Sequence, residues 1–301
     1  MTIGCRSLGL YLSGMTQIAL LGTGLLGSGI AEAAAKRGNH VTVWNRTADK
    51  ARALEQFGIR VAATPADAVR DAERVHLVLK DDAVVDEVIA ALRAGLSPNA
   101  IILDHTTTQP ALTAARATRL AGEGVHYLHC PVFIGPAAAR VPQGIVLASG
   151  PRALFDAVQD ELAKIGSKLE YVGERPDLAA VYKLCGNAYI LGIAALVADV
   201  FGVATGAGVA PADALRIMEW FNPIAIISGR GKRMVAGDFA PSFELAMARK
   251  DLRLMIETAG DLPLAVLPGV AARMDTLIAE GHGADDVGVL GRDAISTYAS
   301  P

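Results

Sequence analysis

The stretch Ile18–Gly29, IALLGTGLLGSG, decides the reading of the first half of the chain. An apolar run of strand length ends at Leu21. Three glycines follow, Gly22, Gly24 and Gly27, and a helical stretch opens near Leu25. GxGxxG spacing is a weak motif alone and a strong one between a strand and a helix. Gly22 permits a tight turn, Gly24 lets a pyrophosphate approach the backbone, and Gly27 lets helix and strand pack closely. The helix N-terminus adds free N–H groups and a positive dipole. With Thr23, Leu25 and Leu26, these glycines form a candidate cradle for a dinucleotide.

Strands and helices alternate outward from this loop. The strand-length runs are QIALL, HVTVW, IRVA, RVHLVL, AIILD and VHYLH, with helical stretches between them. GIVLASG and KLEYVG, flanking PRALFDAVQDELAKIG, extend the sheet. This order predicts a parallel sheet covered on both faces. After Pro176 the strand signal stops. Helices are predicted over Leu178–Ala207, Pro211–Trp220, Phe243–Gly260, Leu264–Gly281 and Val287–Tyr298. Pro211, Pro241, Pro263 and Pro268 stand near helix starts, where proline is tolerated. The expected fold class is α/β followed by all-α. A Rossmann-type doubly wound parallel sheet takes residues 15–176. An all-helical domain takes 177–301 and begins with a long interdomain helix. Residues 1–14, MTIGCRSLGLYLSG, read as a loose extension ahead of Met15.

Apolar residues make up 52% of the 301 positions and charged ones 20%, which is ample for a core. A net charge of −3 gives no sign of a basic face for nucleic acid. Cys5, Cys130 and Cys185 form no CxxC pair and no zinc spacing, so a reducing cytoplasm is the expected compartment. His126, His129 and Cys130 are neighbours in sequence, yet their spacing fits no standard site, and no metal is expected.

The strand HVTVW runs into WNRTADK. A carboxylate at its end would bind the free 2′-hydroxyl of NAD. Asn45, Arg46 and Thr47 stand there instead, and Arg46 suits a 2′-phosphate. NADP(H) is therefore expected over NAD(H), with Asn45 and Thr47 also candidate caps of the next helix. Leu79, Lys80 and Asp81 follow the fourth strand, and Thr106 follows the fifth. Ligands of open α/β sheets bind beyond such strand ends.

Leu178–Ala198, LAAVYKLCGNAYILGIAALVA, holds one charged side chain, Lys183. Ionisable residues are rare in membrane spans, so a soluble helix buried all round is expected. Burial of an unpaired lysine is costly or lowers its pKa. Asn187 stands one turn on, along the same face. Gly186 is expected to leave room for nicotinamide or substrate.

From Gln17 to about Ile295 the sequence resembles the β-hydroxyacid dehydrogenase family, which includes 3-hydroxyisobutyrate dehydrogenase and is related to 6-phosphogluconate dehydrogenase. The glycine fingerprint, DHTTTQP at Asp104–Pro110, CPVFIGP, KLCGN, ARKDLRLM and the stretch DLPLAVLPGVAARMDTLIAEGHGADD fall in the family's order. The resemblance implies that Lys183 is the catalytic acid/base, with Asn187 beside it. It implies cofactor or substrate roles for Lys250 and Asp251, and a substrate loop at Pro131, Val132, Phe133, Ile134 and Gly135. It also implies a homodimer or homotetramer joined through the helical half.

Within that loop Phe133 stands at the family's serine and Ile134 at its first glycine. In the family the serine and glycine backbone bind a substrate carboxylate, whereas these residues form an apolar wall. The expected activity is interconversion of a small aldehyde or semialdehyde with its hydroxyacid or alcohol, with neither nucleic acid nor membrane as partner. Imine reductase-like reduction of C=N is one alternative. A non-catalytic NADPH-binding or assembly protein is the other.

Overall fold

Successive residues of a strand face opposite sides, and here two cores receive them alternately. Ile18 and Leu20 enter one hydrophobic cluster with Val41, Val43, Ile101 and Leu103. Ala19 and Leu21 enter the other with Val75, Leu77 and Ile102. Strands covered on both faces read as the near-continuous apolar runs seen in the sequence. The computed structural model describes residues 16–220 and 222–296. The expected extension at 1–14 lies outside them.

The first unit runs through Gly186. Its elements in order are β1 (Gln17–Leu21), α1 (Leu25–Lys36), β2 (His40–Trp44), α2 (Ala48–Arg52), β3 (Arg60–Val61), α3 (Pro65–Val69), β4 (Arg74–Leu77) and α4 (Asp82–Leu92). There follow β5 (Ile101–Asp104), α5 (Pro110–Gly122), β6 (His126–His129), β7 (Val132–Phe133), β8 (Ile145–Ser149), α6 (Arg152–Leu162) and β9 (Lys168–Gly173). The sheet order is β3-β2-β1-β4-β5-β6-β8-β7, with β9 paired to β8. Its first six strands have the doubly wound 3-2-1-4-5-6 order. The order reverses between β1 and β4, so the glycine loop and the segment after β4 leave the sheet side by side. The expected all-parallel sheet needs one correction. β8 runs antiparallel to β6 and to β7, a two-residue strand too short to give a periodic signal.

The expected boundary at 176/177 also moves. α7 spans Leu178–Gly206, and the two units divide inside it, between Gly186 and Asn187. Its first turns belong to the sheet unit because the Ala179 N–H donates to Ser149 Oγ at 3.0 Å and Lys183 donates to Val132 O at 2.8 Å. By length and composition α7 is apolar enough to cross a membrane. It is not buried all round, as its sequence suggests. Leu191 is 68% exposed and Ile190 56%. Composition records what a helix tolerates around it, and it does not say what covers it.

The helical unit continues with α8 (Pro211–Ala214), α9 (Ile217–Trp220), α10 (Pro223–Val235), α11 (Leu245–Ala259), α12 (Leu267–Leu277) and α13 (Arg292–Ser296). The single helix expected over Pro211–Trp220 is two short ones. The helix expected over Val287–Tyr298 opens as a 3-10 turn, Val287–Gly291, ahead of α13. α10 was not anticipated, although the Asn222 side chain caps it by accepting from the N–H groups of Ile224 and Ala225. Leu245, Leu252, Met274, Leu277 and Val289 form this unit's core. Asp199 of α7 caps α12, its carboxylate accepting from the N–H groups of Ala265, Val266 and Leu267 at 2.6, 2.8 and 2.8 Å.

Candidate active site

The glycine loop divides its labour. Gly22 has φ +103°, and a Cβ there would lie 2.1 Å from Val78 O. A Cβ on Gly27 would lie 1.9 Å from Gly22 O. A Cβ on Gly24 would meet none of the described residues within 4 Å. Gly22 and Gly27 are thus required by the chain's own packing, while Gly24 opens onto free space at the start of α1. Thr23 Oγ1 is buried in the same loop without a partner among the described residues. An open backbone at a helix N-terminus fits the phosphates of a dinucleotide. Leu25 is 77% exposed, whereas Leu26 packs against the first core cluster and offers the cradle only its backbone.

Beside the loop lies a groove of about 330 Å³, with Trp44, Arg46, Thr47, Lys50, Leu79 and Lys80 on its walls. Asn45 also lines it, but its amide is engaged. Its Oδ1 accepts from the Thr23 N–H at 3.0 Å and its Nδ2 donates to Thr47 O at 2.8 Å. It braces the glycine loop instead of capping α2, and Thr47 caps α2 with no side-chain bond. Lys50 brings a second cation beside Arg46. Its only sequence signal is its place one turn into a short helix after WNRT. Glu87 also reaches this groove, from α4.

The loops after β4 and β5 are tied together. Thr106 Oγ1 accepts from the Leu79 N–H at 3.1 Å, and the Thr106 N–H donates to Asp104 Oδ1 at 3.0 Å. Asp81 caps α4 by accepting from the Val84 N–H. Lys80 is exposed and pairs with Asp81 at 3.6 Å.

Lys183 reaches the end of β7. Its ammonium donates to Val132 O at 2.8 Å and lies 4.0 Å from the centroid of the Phe133 ring. Only 9% of the residue is exposed, and burial holds its pKa below the ordinary lysine value. Among the described residues no carboxylate pairs with it. Gly186 does not leave open room here, because a Cβ on it would lie 2.3 Å from Phe133 Cζ. Phe133 and Ile134 do not share one wall either. Phe133 faces the lysine, and Ile134 packs against the core cluster.

The family model for the NAD binding domain of 6-phosphogluconate dehydrogenase matches residues 17–173. That for the NAD-binding of NADP-dependent 3-hydroxyisobutyrate dehydrogenase matches residues 178–291. The chain belongs to this family of NAD(P)-dependent oxidoreductases. Human cytokine-like nuclear factor N-PAC is 28% identical over 244 residues, 80% of the chain and 44% of that relative. The chain thus spans less than half the length of N-PAC. The 3-sulfolactaldehyde reductase of Escherichia coli is 26% identical over 269 residues, covering 86% of the chain and 88% of the relative. An imine reductase of Streptomyces aurantiacus superposes with a TM-score of 0.84 at 27% identity, covering 93% of the chain and 99% of the other.

The chain buries a polar cluster beneath these loops. His105 Nδ1 lies 2.7 Å from Cys130 O, and a carbonyl only accepts, so Nδ1 carries the proton. Neutral His105 then accepts at Nε2 from His76 Nδ1, 2.9 Å away. His129 Nε2 lies 3.4 Å from Thr108 Oγ1, and Tyr127 donates to Asp104 Oδ2 at 2.7 Å. Burial lowers the pKa of all three histidines, that of His129 to about 3. Among the described residues no three His, Cys, Asp or Glu side chains gather to hold a metal. In the helical unit Lys250 and Asp251 pair with each other at 2.9 Å on α11.

Proposed function

We propose that the protein is an NADP(H)-dependent oxidoreductase that interconverts a small aldehyde or semialdehyde with the corresponding alcohol or hydroxyacid. The observation that carries this reading is the buried Lys183 ammonium, held by a backbone carbonyl and lacking a carboxylate partner among the described residues. A structural lysine at such depth would be paired or would reach solvent.

The nicotinamide bound beside the glycine loop would supply the hydride. Lys183 then donates a proton from Nζ to the oxygen on which negative charge develops. In the oxidative direction its neutral amine takes the proton back. A pKa lowered by burial brings both states closer to working pH. Asn187, one turn along α7, is the second polar group assigned to the reacting oxygen.

Arg46 and Lys50 support preference for the 2′-phosphate, as fixed cations on one groove. The exposed apolar faces of α7 and α10, where Ile224 is 74% exposed, support assembly with a second copy of the chain. Reduction of C=N is the second reading, favoured by the backbone likeness to an imine reductase.

Absorbance would follow NADPH consumption with small aldehydes, semialdehydes and cyclic imines, for wild type beside Lys183→Met. Carbonyl turnover that falls about 10²- to 10⁴-fold in the variant is the expected result. Turnover that survives the substitution, or tight NADPH binding with no turnover of any compound, would overturn the reading.

A further inference from the structure

We propose that Phe133 determines specificity at this site. Its ring covers the side of the Lys183 ammonium on which a substrate anion would pair, so the site takes carbonyl compounds with an uncharged, apolar body. The inference rests on the assignment of Lys183 as the acid/base.

An ammonium has three N–H donors and no acceptor. One donor is committed to Val132 O at 2.8 Å. That carbonyl is fixed, because Val132 is buried and registers with Val146 of β8. The ring centroid stands 4.0 Å from Nζ, within the distance at which an aromatic face attracts a cation. The ring thus acts as the ammonium's second partner. The side left free is the one available to a reacting oxygen.

The ring also keeps anions away. Its face carries negative charge density, which attracts the ammonium and repels a carboxylate. A carboxylate approaching here would have to displace the ring, and the ring is packed against α7. It fills the notch at Gly186, where a Cβ would come within 2.3 Å of Cζ and 2.7 Å of Cε1. Its backbone is anchored as well, since Phe133 registers with Ile145 across the β7–β8 ladder. Lys183 and Gly186 stand three residues apart on α7 and so share a face. One ring therefore orients the ammonium and fills the space beside it.

The test uses the full chain with a matched pair of substrates, 2-methylpropanal and 2-methyl-3-oxopropanoate, which differ by a methyl for a carboxylate. Wild type is expected to favour the neutral aldehyde in kcat/KM by about tenfold or more, and Phe133→Ser to erase or invert that ratio. Phe133→Leu keeps the bulk and the neutral preference. It should remove the upfield ring-current shift of the Lys183 Hε signals, assigned by their loss in Lys183→Met. A wild-type preference for the acid, or a ratio that Phe133→Ser leaves unchanged, would overturn the proposal.

If neither aldehyde turns over, isobutyrate titrated into the NADP⁺ complex decides the role of Phe133 separately from the acid/base assignment. Movement of the Lys183 signal only in Phe133→Ser supports it. Equal movement in wild type overturns it.

Discussion

Phe133 is locked to Gly186: the ring fills the space that any side chain at position 186 would need. Gly186→Ala places a methyl 2.3 Å from Phe133 Cζ, so ring or helix must shift. Overpacking of this kind is expected to cost about 1–3 kcal/mol, read as a lower urea midpoint, with a parallel loss of turnover. If midpoint and turnover both stayed at wild-type values, the ring would be free to swing aside.

The three glycines of the loop should respond differently to alanine. Gly24→Ala meets no atom of the described residues within 4 Å, so its melting temperature is expected to match wild type while NADPH binding weakens by about tenfold or more. Gly22→Ala combines a positive φ with a Cβ 2.1 Å from Val78 O, and is expected to lose on the order of 3 kcal/mol or to fail to fold. Thermal melts and a fluorescence titration separate the two effects. A destabilised Gly24→Ala would show that the loop rests on protein at that position.

Arg46 and Lys50 share the groove beside the loop, and alanine at either is expected to raise the Kd for NADPH by about tenfold while leaving NADH little changed. Isothermal titration with both nucleotides checks this. Equal losses for NADPH and NADH would place these cations away from the 2′-phosphate.

Acid should weaken the sheet unit before it weakens most carboxylates. His129 has its pKa lowered by burial from 6.5 to about 3, so the unfolded chain binds a proton that the folded one refuses. Stability is therefore full above pH 6.5 and falls as pH drops toward 3, by about 1.4 kcal/mol per pH unit for one such group. His76 and His105 are lowered in the same direction and add to the slope. Urea midpoints at pH 7 and pH 5 give the measurement. Equal midpoints would mean that these rings take up protons inside the fold.

The glycine loop and the doubly wound sheet were legible because they are written in period and punctuation. A strand covered on both faces reads as an apolar run, and Gly22 and Gly27 answer steric demands of adjacent backbone. Lys50 escaped notice because a cation on a short exposed helix looks the same whether or not a groove lies beneath it. α10 was legible and missed: Asn222 followed by Pro223 is a cap and a first-turn proline. Phe133 and Ile134 read as one apolar wall, yet neighbours along an extended chain face opposite ways, and only one of them reaches the lysine. The exposure of α7 was not legible, because an apolar helix has the same composition whether its cover comes from its own chain or from elsewhere.

The position of β9 sets an order of events during synthesis. The last strand, Lys168–Gly173, completes the sheet, and Lys183 follows ten residues later on α7. Domains tend to fold as units from the N-terminus as the chain emerges. A growing polypeptide can therefore finish its nucleotide groove before its ammonium has left the ribosome. Until the first turns of α7 arrive, the Val132 carbonyl has no lysine to receive and the Phe133 ring has no notch to fill. A piece of the protein cut at the end of the sheet is expected to hold that earlier state, with the groove formed and Lys183 absent.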